Sequence, residues 1–451
     1  MNRERAAWLA GFLLLAIAAF RSPSAAQRDS DYLFVRTLVD INRRVLNHYV
    51  EPISAGELEE AAINGMLNRL DPYTVFVPRD RRAEFDRMLE GTFRGVGIEL
   101  DQLPSGAVQV VSPIEGSPAH RAGVMAGDII LKVNGESIEG LRLPEVIKRI
   151  AGELGTEVRL TVRHATGEEV ELSMRREEIV VPTVKGFRRK ADNTWDYYIN
   201  QDPKIAYVRI TQFTPSTHDT VRPILEDLLK DGMRGLVLDL RWNPGGQLDQ
   251  AVQVVDLFLE EGVIVVTRGR SRPEDVRRAT ADGTLPYFPM VVLINEHSAS
   301  AAEIVAGSLM DNRRAAVLGQ RSFGKGSVQE VMPLEGDNGE LKLTVAYYYL
   351  PLGRLVHRRK DAQDWGVQPQ VVVPMDEATQ RKVTMERLAS ERLLAPGTGP
   401  ATAPALGADV QLQRAMETLI LMTLMEQGPA GAPRPATSRV AGGPRQGAGA
   451  R

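Results

Sequence analysis

The chain has no cysteine among its 451 residues. This absence excludes disulfide bonds, cysteine nucleophiles, thiolate metal sites and a lipid-modified cysteine at the N-terminus. No pair of histidines or carboxylates has the spacing of metal ligands, so we predict no metal and no cofactor. The formal net charge of −3 is small, and it gives no reason to expect nucleic acid or an anionic membrane as a partner.

The N-terminal apolar run, Ala7 to Phe20, is too short to span a bilayer. It has about 14 residues, whereas a spanning helix needs about 20. Arg3 and Arg5 precede it, and small residues lie at −3 and −1 of a cleavage point after Ala26. We therefore interpret residues 1–26 as a cleaved export signal, with retention as a membrane anchor as the alternative. Export would place the protein in a bacterial periplasm or an equivalent extracytoplasmic space.

Composition and periodicity divide the remaining chain into regions of different character. A helical pattern comes first, with a helix predicted from Glu57 to Leu70, followed by short strands and glycine turns. An α/β pattern and a second helical region follow, and the chain ends in Gly, Ala, Pro and Arg with little to bury. The predicted boundaries are a helical region at 27–90, a β-rich module at 91–177, an α/β core at 178–380, C-terminal helices at 381–427 and a disordered tail at 428–451.

The β-rich module resembles a PDZ domain in the order of its strands, its Asn-Gly turn at 134–135 and its second helix from Leu143. PDZ domains bind an extended peptide as an added strand at a sheet edge. The resemblance implies that the backbone N–H groups of Gly95, Val96 and Gly97 bind a terminal carboxylate. The alternative is a glycine turn needed only for the fold.

Near-continuous apolar runs at 235–240, 290–294 and 315–318 are typical of strands buried on both faces, and helical patterns fill the intervals. Ser300 follows the second of these strands and begins a helix. Unpaired N–H groups and the helix dipole favour negative charge at that position, as an attacking serine requires. The alternative for a serine in this place is a helix cap.

Lys325 lies among glycines in Phe323-Gly324-Lys325-Gly326, with apolar neighbours that favour a neutral amine. Gln329, four residues further on, is placed to orient that amine as the third member of a triad. The same segment matches a phosphate loop from Gly319 to Lys325, but Gly326 stands where a metal-binding Ser or Thr is required, and no clear helix follows.

The turn Asn243-Pro244-Gly245-Gly246 follows the first buried strand. Consecutive glycines leave backbone N–H groups accessible to a substrate carbonyl. One of these groups, with that of Ala301, would form an oxyanion hole. The alternative is an ordinary strand-to-helix turn.

Together these segments resemble the three signature blocks of the carboxy-terminal processing proteases, the tail-specific Ser-Lys peptidases. The resemblance covers nearly the whole mature chain, including 65–72, the PDZ-like module and 409–413. It implies a multidomain α/β fold: an N-terminal helical segment, the PDZ-like module, a serine-protease core with crotonase-like ββα architecture, and C-terminal helices. The implied roles are Ser300 as nucleophile, Lys325 as general base, Gln329 as its orienter, and Gly246 and Ala301 as oxyanion donors.

The function implied by the resemblance is an exported serine endopeptidase that takes flexible protein C-termini through its PDZ domain. An adaptor protein and a homo-oligomer are further partners that it leaves open, and Arg163 is a candidate contributor to PDZ gating. The first alternative is an inactive PDZ scaffold that only binds peptides. The second is an α/β hydrolase for small esters, against which the missing G-x-S-x-G elbow counts.

Overall fold

A computed structural model describes residues 25–394, 399, 401–402 and 407–426. These residues form two compact units, one of the residues up to 79 with 331–343 and one of residues 80–330 with those from 344 onward. The predicted export signal lies outside the described residues except for its last two positions, and the predicted disordered tail lies wholly outside them. In the described part of the chain, no helix combines the length and the apolar character that a membrane crossing requires.

The first unit contains a pair of helices and a short strand. A capping box starts the second helix, because Ser54 and Glu57 each accept the other's backbone N–H, at 3.2 and 3.0 Å. This helix ends at Leu67, three residues before the predicted end at Leu70. After Leu67 the chain tightens into i→i+3 turns, in which the Leu70 N–H bonds to the Leu67 carbonyl at 2.9 Å. The elements are α1 (Ala25–His48), α2 (Ala55–Leu67) and β1 (Val75–Val77), and β1 pairs with residues 340–342.

The PDZ-like module lies in the second unit and is an antiparallel sheet with two short helices, α4 and α5, preceded by a third helix, α3. Its strands follow the order β3-β4-β5-β7-β8, with β6 beside β5, while β2 pairs with β9 where the chain enters and leaves. Strand β7 shows the alternation of a half-buried strand: Val158, Leu160 and Val162 are buried, and the polar residues between and beside them are exposed or half-buried. The elements are α3 (Arg82–Glu90), β2 (Thr92–Gly95), β3 (Ile98–Gln102), β4 (Val108–Pro113), α4 (Pro118–Ala122), β5 (Ile129–Val133), β6 (Glu136–Ser137), α5 (Leu143–Ile150), β7 (Glu157–Arg163), β8 (Glu169–Arg175) and β9 (Glu177–Val180).

The α/β core is built on a sheet whose central strands run parallel. The strand order is β10-β14-β15-β18-β19-β22, and β13 pairs with β14. Neighbours from β14 to β22 are parallel, whereas β10 and β13 are antiparallel to β14. Two further sets of strands lie outside this sheet: β11 pairs with β12, and β16, β17, β20 and β21 share a sheet with β1. The strands of this part of the chain are β10 (Val184–Lys185), β11 (Arg188–Arg189), β12 (Trp195–Asp196), β13 (Tyr198–Gln201), β14 (Lys204–Ile210), β15 (Gly235–Asp239), β16 (Val263–Gly269), β17 (Asp275–Arg278), β18 (Met290–Ile294), β19 (Ala316–Gly319), β20 (Ser327–Pro333), β21 (Glu340–Tyr349) and β22 (Val371–Val372).

Helices cover both faces of this sheet, as the apolar runs predict. Leu236 and Leu238 pack with the helices of one face, and Val237 packs with Leu412 and Leu419 of the last helix on the other. Because successive strand residues point to opposite faces, a strand covered on both sides must be apolar throughout. The helices are α6 (Thr217–Lys230), α7 (Leu248–Asp256), α8 (Ala301–Asp311), α9 (Glu377–Glu391) and α10 (Val410–Glu426).

A buried ion cluster joins the end of β15 to the start of α10. Arg241, only 1% exposed, lies with its guanidinium 2.7 Å from the Asp239 carboxylate and 2.8 Å from that of Asp409. Burial alone would raise the pKa of Asp239, but the attraction of Arg241 outweighs it and holds that pKa below its usual value. Asp409 also caps α10 by accepting the N–H of Leu412 at 3.0 Å.

We expect Asp409→Ala to lower the free energy of unfolding by about 3–5 kcal/mol, because it leaves the buried Arg241 with too little negative charge. Urea unfolding followed by circular dichroism measures the effect. Glu417→Ala is the matched control, since Glu417 lies on the same helix in an exposed pair with Arg414 and should cost less than about 0.5 kcal/mol. Equal unfolding midpoints for the two variants would contradict the structural role of the cluster.

Candidate active site

Three loops meet at one edge of the parallel sheet. Strands β15, β18 and β19 are adjacent and parallel, so their carboxyl ends lie side by side. Residues 240–247 leave β15, residues 295–300 leave β18, and residues 320–326 leave β19. Ligand sites of open α/β sheets are found outside the carboxyl ends of the strands. The three sequence motifs are therefore brought together by sheet topology.

Ser300 occupies a strained turn between β18 and α8. Its backbone has φ 56° and ψ −117°, a conformation that residues with a Cβ rarely adopt. The preceding residue, Ala299, is held in place by donating its N–H to the Asn243 carbonyl at 2.9 Å. Strain of this kind persists only where the surroundings impose it, and it is concentrated at functional sites.

One carboxylate holds the loops that carry Ser300 and Lys325. Glu303, in the first turn of α8, is fully buried. Its Oε2 accepts the backbone N–H of Ser300 and that of Lys325, each at 2.8 Å. Its Oε1 accepts the Ser322 hydroxyl at 2.6 Å and the Gly324 N–H at 2.7 Å. The two motif residues are thus tied through their main chains to the same oxygen atom.

Tyr348, from strand β21, makes a second bridge between the same two residues. Its hydroxyl donates to the carbonyl of Lys325 and lies 3.1 Å from the carbonyl of Ser300. The side chain is 1% exposed. The N–H groups of Ser300 and Lys325 and the carbonyl of Lys325 are therefore bound by Glu303 or Tyr348, which fixes the separation of the two backbones.

The glycines on either side of Lys325 are required by close packing. Gly324 has φ 91°, and a Cβ there would lie 2.6 Å from the Trp365 ring. A Cβ on Gly326 would lie 2.3 Å from the His357 backbone nitrogen. Only glycine allows the segment of residues 357–365 to pack this closely on the loop. Lys325 itself is half-buried.

The Asn243 turn packs directly against the Ser300 loop. A Cβ on Gly245, which has φ 101°, would lie 2.6 Å from Ser300 Cβ and 3.0 Å from the Ala301 nitrogen. The Gly245 N–H is used within the turn, because it donates to the Asn243 side-chain oxygen at 2.8 Å. Gly246 has φ 138°, and its Cα lies against Phe213, where a Cβ would be 2.1 Å from the carbonyl oxygen.

Gln329 lies on β20 and donates its side-chain amide to the Ser327 hydroxyl at 2.8 Å and to the Thr344 hydroxyl at 3.4 Å. These two bonds engage the nitrogen of the amide. An oriented Gln329 carbonyl is what its predicted role beside Lys325 requires, and that role stays a prediction.

The predicted carboxylate loop of the PDZ-like module packs on helix α4. The Val96 carbonyl accepts the N–H of Ala119, and the Gly97 carbonyl accepts both the N–H of Ile114 and the Ser117 hydroxyl. Gly97 has φ 78°, and a Cβ there would overlap Ser117 at 2.3 Å. Its glycine is thus required by the fold, and carboxylate binding by this loop stays a prediction.

Arg163, the predicted contributor to PDZ gating, and His297, three residues before Ser300, lie in ordinary surroundings. His297 is exposed. Arg163 forms a half-exposed ion pair with Glu169 at 2.8 Å across the β7–β8 hairpin.

The comparisons with known proteins agree with this arrangement. Residues 204–373 match the model of Peptidase family S41, and residues 109–164 match that of the PDZ domain. The chain is 39% identical over 381 residues to a carboxy-terminal-processing protease of Bartonella bacilliformis, with 83% of each protein covered. The chain belongs to the carboxy-terminal processing protease family. It is therefore a serine-type peptidase, and its PDZ-like module is a PDZ domain.

Further members of this family are similar over most of the chain. The carboxy-terminal processing protease CtpA of Bacillus subtilis is 33% identical over 330 residues, which cover 73% of this chain and 66% of that protein. A solved structure, the photosystem II D1 C-terminal processing protease, is 28% identical and covers 74% of this chain and 92% of that one, with a TM-score of 0.41.

The sequence alone did not reveal the full part that Glu303 and Tyr348 play. An acidic residue in the first turn of a helix is common because of the helix dipole, so Glu303 carried no distinct signal. Its spacing of three from Ser300 is the capping-box spacing, and that was the available clue. Tyr348 had no clue of this kind, because only the tertiary fold places β21 beside the two loops.

Burial raises the pKa of Glu303 to about 7, against four hydrogen bonds that favour its carboxylate form. A carboxyl group with a raised pKa in the folded state stabilises the fold fully below its unfolded pKa, and this contribution is lost as pH rises through the folded value. For Glu303 the loss therefore occurs between pH 4.5 and about 7. A shift of this size corresponds to about 3 kcal/mol.

We expect Glu303→Gln to remove this pH dependence, since an amide does not titrate. The measurement is the urea unfolding free energy of both proteins at pH 5 and pH 8. The parent should lose about 3 kcal/mol more than the Gln variant between the two pH values. An identical loss in both proteins would show that Glu303 keeps an ordinary pKa.

Proposed function

We propose that this peptidase is an exported endopeptidase that cleaves flexible protein C-terminal tails through a Ser-Lys acyl-enzyme mechanism. The observation that carries the proposal is the shared Glu303 oxygen, which binds the main-chain N–H groups of both Ser300 and Lys325 at 2.8 Å. A nucleophile and its base need a fixed separation, and this arrangement supplies it.

In the acylation step, the Ser300 Oγ attacks the carbonyl carbon of the scissile peptide bond, and the Lys325 amine takes the hydroxyl proton. The amine then gives that proton to the leaving nitrogen as the peptide bond breaks. In the second step a water molecule attacks the carbonyl carbon of the resulting ester and loses a proton to Lys325. The amine gives that proton to the Ser300 Oγ as the ester bond breaks, which frees the tail's new carboxyl end and restores both residues. This cycle balances without a metal or cofactor.

The amine accepts a proton only in its neutral form, and a lysine of ordinary pKa is charged at neutral pH. Burial beside apolar groups is the general means by which a protein favours the neutral amine. Lys325 is half-buried between two buried glycines. Gln329 is assigned to orient the amine from its position on β20.

The negative charge that develops on the substrate oxygen requires donors close to Ser300. We assign the backbone N–H groups of Gly246 and Ala301 to this role. Gly245 is less suited, because its N–H already donates to Asn243 at 2.8 Å. Ala301 stands at the first position of α8, where the helix dipole adds to the stabilisation.

Substrate recognition is assigned to the PDZ domain, with the loop Gly95-Val96-Gly97 binding the terminal carboxylate. PDZ domains add an extended peptide to a sheet edge, so a flexible C-terminus is the substrate that fits. Export is assigned to residues 1–26, and the protein is placed in the periplasm or another extracytoplasmic compartment on that ground.

We expect Ser300→Ala and Lys325→Ala each to lower the rate of cleavage of an unfolded substrate by at least about 10³-fold, as when a member of a catalytic unit is removed. His297→Ala is the control, and its activity should be nearly unchanged, because this exposed histidine has no part in the mechanism. The measurement is the release of peptides from a denatured protein, with cut sites identified by mass spectrometry. Retained cleavage by the Ser300 variant would refute the mechanism. Saturable binding without fragments from the parent would identify a peptide-binding scaffold.

A further inference from the structure

Trp242 lies between the end of β15 and the glycine turn, and its backbone is strained. Its φ of 59° is in the left-handed region, which bulky side chains rarely adopt. The carbonyl of the next residue, Asn243, accepts the N–H of Ala299 at 2.9 Å, and the Trp242 N–H donates to the side-chain oxygen of Asn295, also at 2.9 Å. Strain of this kind persists only where neighbouring contacts impose it.

The indole ring of Trp242 stacks against a buried cation of α9. The guanidinium carbon of Arg387 lies 4.4 Å from the ring centre, and that of Arg241 lies farther away, at 5.5 Å. The Arg387 side chain is only 11% exposed. A cation is attracted to the face of an indole ring, and the attraction is stronger where water is excluded. The stack is therefore a contact that can hold Trp242 in its strained conformation.

The charge of Arg387 is incompletely paired. Its Nε and Nη1 atoms are buried and have no hydrogen-bond partner among the residues that the structure describes. Glu391 lies 3.8 Å from Nε, but it already pairs with Lys185 at 2.7 Å and with Arg209 in direct contact. Burial, with repulsion from Arg209, lowers the pKa of Arg387 to about 10. An apolar side chain of similar size would pack here at lower cost, so stability alone does not explain the arginine.

The helix that carries Arg387 also contacts the loop that leads to Ser300. Gln380 donates its side-chain amide to the Glu296 carboxylate in that loop, at 2.8 Å. Gln380 and Arg387 are seven residues apart, so they lie on the same face of α9, about two turns apart. Val383, which lies between them, is buried. The inward face of a helix is normally apolar, whereas this face directs a polar side chain to each of two loops of the candidate active site.

We propose that Arg387 is a positioning residue for the oxyanion hole. Its stack on Trp242 fixes the entry to the turn of residues 243–246. The Gly246 N–H is thereby held at a fixed distance from Ser300. This role rests on the proposed function, because it requires Gly246 as an oxyanion donor. Such a donor acts on the tetrahedral intermediate and little on the bound substrate, so loss of the stack should lower kcat and leave KM nearly unchanged.

Steady-state kinetics of Arg387→Met, with a peptide that spans a cut site mapped by mass spectrometry, tests this role. We expect kcat to fall at least about tenfold, less than the about 10²–10³ that loss of an oxyanion donor costs, and KM to stay within about twofold. The unfolding midpoint should be unchanged or raised, because the variant removes an incompletely paired buried cation. Arg381→Gln, on the exposed side of the same helix, is the matched control and should have the kcat of the parent.

A peptide aldehyde gives a second readout, which a merely structural role would not change. The Ser300 Oγ adds to the aldehyde carbon, and the resulting hemiacetal places its oxygen in the oxyanion hole. The inhibition constant of the aldehyde should therefore rise in Arg387→Met by about the factor by which kcat falls. The corresponding peptide alcohol forms no adduct, and it should bind to the variant and the parent equally.

Substitutions of Trp242 show whether Arg387 acts through the ring. Trp242→Phe keeps an aromatic face and should retain most of the kcat, whereas Trp242→Leu should lower it as Arg387→Met does. The double variant Arg387→Met with Trp242→Leu should be no slower than the slower single variant, because both changes remove the same contact. Effects that multiply in the double variant, or equal kcat values of the Phe and Leu variants, would overturn the role.

The outcomes also separate this role from the proposed function. Loss of cleavage in Ser300→Ala, together with the parent's kcat in Arg387→Met, would reject the role of Arg387 alone. Retained cleavage by Ser300→Ala would reject the proposed function itself. A raised KM with unchanged kcat in Arg387→Met would show that α9 affects substrate binding, and it would also overturn the assignment to the oxyanion hole.

Discussion

The geometry of the candidate active site depends on one buried carboxylate, Glu303, which accepts four hydrogen bonds. Glu303 is stable away from water only while the hydroxyl and N–H groups of two separate loops reach it. Those loops in turn have few other partners for the same N–H groups. Each half of the arrangement therefore requires the other, and the Ser300 and Lys325 segments are ordered together rather than one at a time.

The parallel sheet explains why motifs far apart in the chain form one site. Strands β15, β18 and β19 are neighbours, so a residue that follows any of them lies at the same edge. Glycines then bring the loops into contact, because Gly245 and Gly326 leave no room for a Cβ. The strained backbone at Ser300 is held by this packing and by its bond to Glu303.

Local patterns predicted much of this protein, and tertiary contacts determined the rest. The apolar runs of the core strands and the glycine turns of the PDZ domain are local signals, and the fold that they predict is confirmed. The predicted end of α2 was wrong by three residues, because the chain tightens into i→i+3 turns directly after Leu67. Tyr348 and the partner of Arg241 could not be predicted, since each reaches its contact from a distant strand or helix. The roles of Ser300, Lys325 and Gln329 stay predictions.

The ion cluster at Arg241 sets a limit on how the chain can be trimmed. Its carboxylate partner Asp409 lies far along the chain, at the start of the last described helix. A proteolytic cut after α10 would leave the cluster intact, whereas a cut in the segment before Asp409 would make α10 a separate fragment held only by non-covalent contacts. Loss of that fragment would remove one of the two carboxylates that pair with the buried Arg241. Arg241 lies in the same loop as the Asn243-Pro244-Gly245-Gly246 turn, so C-terminal shortening would disturb the candidate active site through that loop.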